Sequence, residues 1–159
     1  MSFDEEFLDL LLASLRQVRL EAVLIGNVAA SLQGAPVLTQ DTDLLVRDTP
    51  LNRKKISALA KALGGCAPEL VSELSTTHRI IGARVPVDIL FDQMSGGLDF
   101  ESVRSRSVKA KVGRETATVA ALEDIIRSKE AAGRPKDLAQ LPILRDTLRV
   151  RSQFDRKRR

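Results

Sequence analysis

The sequence predicts an α+β fold: a mixed β-sheet of about four to five strands flanked by helices, with further helices at the C-terminal end. Three observations carry this. Two short continuous apolar runs, Ala22 to Ile25 and Leu44 to Val46, have the pattern of strands buried on both faces. Segments with apolar residues at helical spacing lie before, between and after them. Arg79 to Gly82 and Pro86 to Phe91 flank Ala83-Arg84, as the two arms of a hairpin do.

Taken in order, Ser2 to Glu5 fits a capping box with Ser2 at the N-cap. Behind it Phe3, Phe7, Leu10, Leu11, Leu15 and Val18 recur at helical spacing, which predicts a first helix ending near Arg19. The strand at 22–25 leads into Gly26-Asn27 and a short Ala-rich helix, Val28 to Gln33, closed by Gly34 and Pro36. After the strand at 44–46, Leu51 to Leu63 is helical and stops at Gly64-Gly65. Ser107 to Val112 alternates as a strand with one wet face, and Ala120 to Ala132 is a helix closed by Gly133. Pro135 suits the first position of a last helix, which Pro142 is expected to interrupt.

The chain has 159 residues, enough for one domain that buries a real core without staples. One cysteine, Cys66, excludes an intrachain disulfide and a multi-cysteine metal site. One histidine, His78, excludes a zinc site built on paired histidines. Aromatic residues are 3% of the chain, with no Trp and no Tyr, which argues against a base-stacking platform. No apolar run approaches a membrane span, and the first residues are acidic where a secretory signal would be basic, so a cytoplasmic protein is expected.

The formal net charge of +4 is unevenly spread. Residues 145–159 hold seven basic and two acidic side chains, leaving the other 144 residues close to neutral. The organisation expected is therefore one domain, 1–150, and a basic C-terminal tail, 151–159. Such a tail suits an anionic partner such as RNA, or serves solubility alone. Residues 103–114 add five basic side chains and no acid, with Lys109 and Lys111 on one face of a strand. They form either a track for a phosphate backbone or edge protection against stray sheet pairing.

The candidate chemistry starts at Asp41-Thr42-Asp43, which enters the second strand. Residues i and i+2 of a strand share a face, so two carboxylates stand side by side. Like charges that close raise one another's pKa unless a cation lies between them, and Mg²⁺ is a usual solution. With twelve aspartates, about one such pair is expected by chance, so context must supply the weight. Gly26, at the turn before the pair, allows close backbone approach to a ligand. Asp88 is a third acid inside the apolar run Val87 to Leu90. It either completes a three-carboxylate cup or pairs with Arg79 or Arg84 across the hairpin. Lys129, Arg134 and Lys136 gather around a helix end, where they could neutralise a triphosphate; Lys129 is otherwise an ordinary solvated lysine. Asp41 could also be no more than a turn residue.

Ile25-Gly26-Asn27, thirteen residues, then Asp41-Thr42-Asp43, with Asp88 in a later strand, resembles the signature of the nucleotidyltransferases of the DNA polymerase β superfamily. The stretch Lys129 to Leu138 is similar to the downstream block of small bacterial abortive-infection and toxin–antitoxin nucleotidyltransferases. The resemblance spans roughly residues 20 to 145. It implies that Asp41, Asp43 and Asp88 ligate Mg²⁺ or Mn²⁺ and that Asp88 helps activate an attacking hydroxyl. It implies that Gly26 and Asn27 hold the β- and γ-phosphates of a nucleoside triphosphate, with Lys129, Arg134 and Lys136 on its phosphates. Asn27 stands where Gly or Ser is usual. The expected reaction is nucleotidyl transfer to a tRNA end or a protein hydroxyl, the chain being the toxin of a pair with a cognate antitoxin. The alternatives are a small-molecule (antibiotic) acceptor and a catalytically quiet nucleotide- or partner-binding module.

Overall fold

The computed structural model describes residues 3–66, 68–73 and 75–159. Helix α1 (Glu5–Val18) is capped by Asp4, whose side chain accepts from the Phe7 N–H at 2.9 Å. The cap is thus two residues later than the Ser2 expected, and Ser2 itself lies outside the described residues. The helix buries Phe7, Leu8, Leu11, Leu12 and Leu15 and ends at Arg19, in the left-handed region. The fully buried strand β1 (Val23–Ile25) runs straight into α2 (Gly26–Leu32). Then come β2 (Thr42–Val46) and α3 (Pro50–Ala62), the latter with Thr49 as its N-cap.

Two short strands, β3 (Glu69–Leu70) and β4 (His78–Ile80), precede β5 (Val87–Phe91). A small ribbon, β6 (Gln93–Met94) and β7 (Leu98–Asp99), leads to α4 (Phe100–Arg106). A second hairpin, β8 (Val108–Val112) and β9 (Glu115–Val119), is followed by α5 (Leu122–Ala132) and α6 (Pro135–Lys157).

The main sheet has seven strands in the order β3-β4-β5-β2-β1-β9-β8. It is mixed: β2 pairs parallel with β5 and β1 parallel with β9, while β1–β2, β3–β4, β4–β5 and β8–β9 are antiparallel. The α+β reading therefore holds, with more strands than the four to five expected. The difference lies in β3, two residues long, and in β9, whose mixture of Thr, Ala and Val carries a weak apolar signal. The center of the sheet is the most apolar: Leu24, Leu44, Leu45, Val87 and Ile89 are almost fully buried. Burying such side chains is worth roughly 1.5–3 kcal/mol each, and it holds β1, β2 and β5 in one register.

One expectation fails. Pro142 does not interrupt the last helix, because α6 continues through it to Lys157. Pro142 lies on the exposed side of the helix, where water can satisfy the carbonyl that loses its N–H partner. Most of the basic segment 151–159 is consequently helical, and Arg151 donates to the Gln33 carbonyl at 3.2 Å. Among the described residues, no helix is long and apolar enough to cross a membrane.

Candidate active site

The site forms at the ends of the central strands. Gly26 joins β1 to α2 with φ at +69°, a conformation that L side chains rarely adopt. A Cβ built there would run into the Asp43 carboxylate. Glycine is therefore required twice over, by the backbone and by the acid packed against it. Asp43 lies opposite Ile25 on one side and opposite Asp88 on the other. Burial, then the charges of Asp88 and Asp41, push the Asp43 carboxyl up to about 7; Lys129 and Arg79 pull the other way. The two strands predicted to carry Asp43 and Asp88 are thus neighbours, in register.

Asp88 is 8% exposed and does not stand free. Arg79, its cross-strand partner on β4, holds it by two donors: Nε to Oδ1 at 2.6 Å and Nη2 to Oδ2 at 2.9 Å. The same Nη2 reaches Asp41 Oδ2 at 3.4 Å. Of the two arginines weighed for Asp88, Arg79 is the partner; Arg84 pairs instead with Asp4 at 2.7 Å and Glu6 at 3.3 Å. Among the described residues, no three His, Cys, Asp or Glu side chains converge as a ready-made ion cage. The donor chemistry nevertheless fits a hard divalent ion: three aspartates on neighbouring positions offer oxygen ligands, and burial together with the charges of Asp88 and Asp41 raises Asp43.

Facing the acids is a cationic wall built by α5 and α6. Lys129 sits in the last turn of α5, before Gly133 ends the helix in the left-handed region. Its side chain is only 13% exposed, so it is not an ordinary solvated lysine. The ammonium donates to Gln140 Oε1 at 2.9 Å and lies 3.6 Å from Asp137 Oδ1. Burial lowers the Lys129 pKa, against the pull of Asp137 and Asp43. Arg134 donates through Nε to Asp137 Oδ2 at 2.6 Å. Asp137, nearly inaccessible, is the anchor that ties both cations to the start of α6; their charges hold its carboxyl below the usual range. Lys136, beside it, is exposed.

Asn27 uses its amide Nδ2 on the Leu38 carbonyl at 3.1 Å, while its Oδ1 is buried without a partner. Its side chain thereby pins α2 to the segment that leads into Asp41. Gly26, Asn27, Asp41, Asp43, Asp88, Lys129, Arg134 and Lys136 all line one cleft of about 1050 Å³. Sequence reasoning missed both Gln140 and Asp137 as members. Their spacing of three residues, on the face that also carries buried Leu141 and Leu144, was the available signal. A smaller cavity of about 250 Å³ lies on the α1 side of Asp41, against Phe3 and Phe7. Cys66 is exposed, and His78 packs edge-on to Phe91 with ring centroids 5.2 Å apart.

This arrangement is the nucleotidyltransferase fold. The solution structure of the antibiotic-resistance factor ANT(2'')-Ia is similar at 15% identity, with a TM-score of 0.65 over 97% of this chain and 91% of that one. The crystal structure of ANT(2'')-Ia in complex with adenylyl-2''-tobramycin gives 13% identity and a TM-score of 0.64, covering 98% of both chains. A candidate nucleotidyltransferase of Thermotoga maritima gives 15% identity and a TM-score of 0.61 over 86% of this chain and 89% of its own. No protein-family model and no curated protein matches the sequence. At these identities the likeness establishes the fold.

Proposed function

We propose that the protein transfers a nucleoside monophosphate from a nucleoside triphosphate to a hydroxyl acceptor. The observation that carries this reading is one cleft in which Asp41, Asp43 and Asp88 face Lys129, Arg134 and Lys136. Acids and cations on opposite walls suit a polyphosphate held with a divalent ion. Asp41 and Asp43, with Asp88 as the third carboxylate, would hold Mg²⁺ or Mn²⁺; bound there, the ion would neutralise charge on the phosphate oxygens.

The other groups have separable tasks. Lys129, Arg134 and Lys136 bind the triphosphate. Gly26 brings the backbone close to the β- and γ-phosphates, with Asn27 beside it. Asp88 accepts the proton of the acceptor hydroxyl as its oxygen bonds to the α-phosphorus and the bond to pyrophosphate breaks. The rigid mounting of Lys129 on Gln140 and Asp137 reduces the entropy of ordering a long side chain around the ligand.

RNA is the acceptor class favoured by the basic surfaces, and a tRNA end comes with the resemblance. Lys109 and Lys111 are exposed on β8, and α6 carries a basic C-terminal end. We keep 1–150 as the catalytic domain and 151–159 as its basic extension. A protein hydroxyl is the second acceptor class, and a toxin role with a cognate antitoxin accompanies the resemblance. Asn27 motivates one other reading, a quiet nucleotide-binding module, because its side chain stands where Gly or Ser is usual and is held to Leu38 by one N–H of its amide.

Incubation with each α-³²P-labelled nucleoside triphosphate, Mg²⁺ and total tRNA tests the proposal. Label transferred to tRNA by the wild type and not by Asp43→Asn is the expected result. Triphosphate binding without transfer to tRNA, to protein or to an aminoglycoside would identify the module instead. Transfer to the aminoglycoside alone would assign a small-molecule acceptor.

A further inference from the structure

We propose that Arg79 is a built-in rival of the divalent metal: its guanidinium takes oxygens of Asp88 and Asp41 that a metal would use, so metal binding displaces it. This inference rests on the metal-dependent reading above and adds to it a residue and a competition.

The geometry is specific. A guanidinium has a planar fork of donors that matches a carboxylate, and Arg79 presents that fork to both oxygens of Asp88, at 2.6 and 2.9 Å. One of the two nitrogens extends to Asp41 Oδ2 at 3.4 Å. A single cation thus spans the first and third acids of the trio, and its charge also acts on the second, Asp43. Both Asp88 oxygens are thus already occupied by the guanidinium, and among the described residues the three carboxylates form no ready-made ion cage.

The arrangement also has the mechanical form of an exchange. The Arg79 backbone is fixed opposite Asp88 in the β4–β5 pairing. Its side chain, 33% exposed, opens onto the cleft and can swing without disturbing that pairing. Asp88 cannot be left alone, because a buried carboxylate without a cation is costly. The two cations that can compensate it are the guanidinium and the metal. The competing explanation is a static cross-strand ion pair, with any metal held by Asp41 and Asp43 alone. Static pairing keeps the positive charge beside the metal throughout, so it predicts wild-type Mn²⁺ affinity in Arg79→Lys, which retains that charge without the fork.

Mn²⁺ binding to the full chain, measured calorimetrically without nucleotide, separates the two. Wild type, Arg79→Gln, Arg79→Lys and Asp43→Asn are compared, with thermal melts of each in chelator and in Mn²⁺. Arg79→Gln should bind Mn²⁺ about tenfold or more tightly than wild type, by removing the rival charge. It should melt below wild type in chelator and recover more on adding Mn²⁺. Arg79→Lys, a point charge without the fork, should fall between the two, and it carries the test if Arg79→Gln does not fold. Equal or weaker Mn²⁺ affinity in the Arg79 variants, with Asp43→Asn still abolishing binding, would overturn the rivalry and leave the metal-dependent function standing. Absence of any Asp43-dependent Mn²⁺ binding in every variant would overturn both.

Discussion

Asp43 and Asp88 stand opposite each other in the parallel pairing of β2 and β5, two acids in register on adjacent strands. The pairing sets two like charges together at the floor of the cleft. Arg79 covers one of them; burial, with the charges of Asp88 and Asp41, pushes the Asp43 carboxyl up to about 7.

That proton has a thermodynamic consequence. An unfolded aspartate ionises near its ordinary pKa of 3.8, whereas folded Asp43 ionises near 7. Between those values the folded state binds more protons, so stability falls as pH rises through the window and levels off above it. Asp43→Asn should remove this dependence. With each pKa unit worth ~1.4 kcal/mol, the variant should exceed wild type by on the order of 2–4 kcal/mol at pH 8 and match it near pH 4. Urea unfolding across that range is the measurement; an unchanged slope in the variant would place the proton elsewhere.

Gly26→Ala should destabilise by about 1–3 kcal/mol, because φ of +69° strains an alanine and its Cβ meets the Asp43 carboxylate. Adding Asp43→Ala should return the part due to the collision and not the backbone part. A double-mutant cycle reads this coupling directly. Strict additivity would show that the two residues do not press on each other.

Lys129→Ala should lower the transfer rate by about 10²-fold or more, about 2.7 kcal/mol of transition-state stabilisation. Folding should survive, since Arg134 still neutralises buried Asp137. Lys129→Arg should restore activity only in part, because a fork does not replace a point-like ammonium held by Gln140. A wild-type rate for Lys129→Ala in the labelled-nucleotide assay would reduce the lysine to a structural element of the α5–α6 junction.

Deleting 152–159 removes Arg156, Lys157, Arg158 and Arg159 and leaves Arg151 on Gln33. RNA affinity should fall, and its logarithmic salt dependence should flatten. Filter binding at several salt concentrations tests this. Unchanged affinity at low salt would return the segment to a solubility role.

Several features of this protein were legible in one dimension. The runs at 22–25 and 44–46 are apolar without interruption, the pattern of a short strand buried on both faces. Gly64 and Gly133 mark helix ends because few other residues adopt the left-handed backbone found there. The Gly26, Asp41, Asp43 and Asp88 pattern was visible because a glycine and three acids at set spacings around apolar runs are features of residue order alone. Other features needed the folded chain. Pro142 reads as a helix breaker locally, yet tertiary packing of Leu141 and Leu144 carries α6 past it. β3 is two exposed residues and takes its identity from pairing with β4. Whether Asp88 belonged to a metal cup or to an arginine was a choice the sequence posed and could not make. Hydrophobic period and turn chemistry are local, and a chain carries them in its order of residues. Which cation meets which buried acid depends on strand register and helix packing, and those exist only once distant segments are brought together. Lys129 illustrates the division: its place in a last helical turn could be read from Gly133, but its burial against Asp137 and Gln140 is set by the packing of α5 on α6.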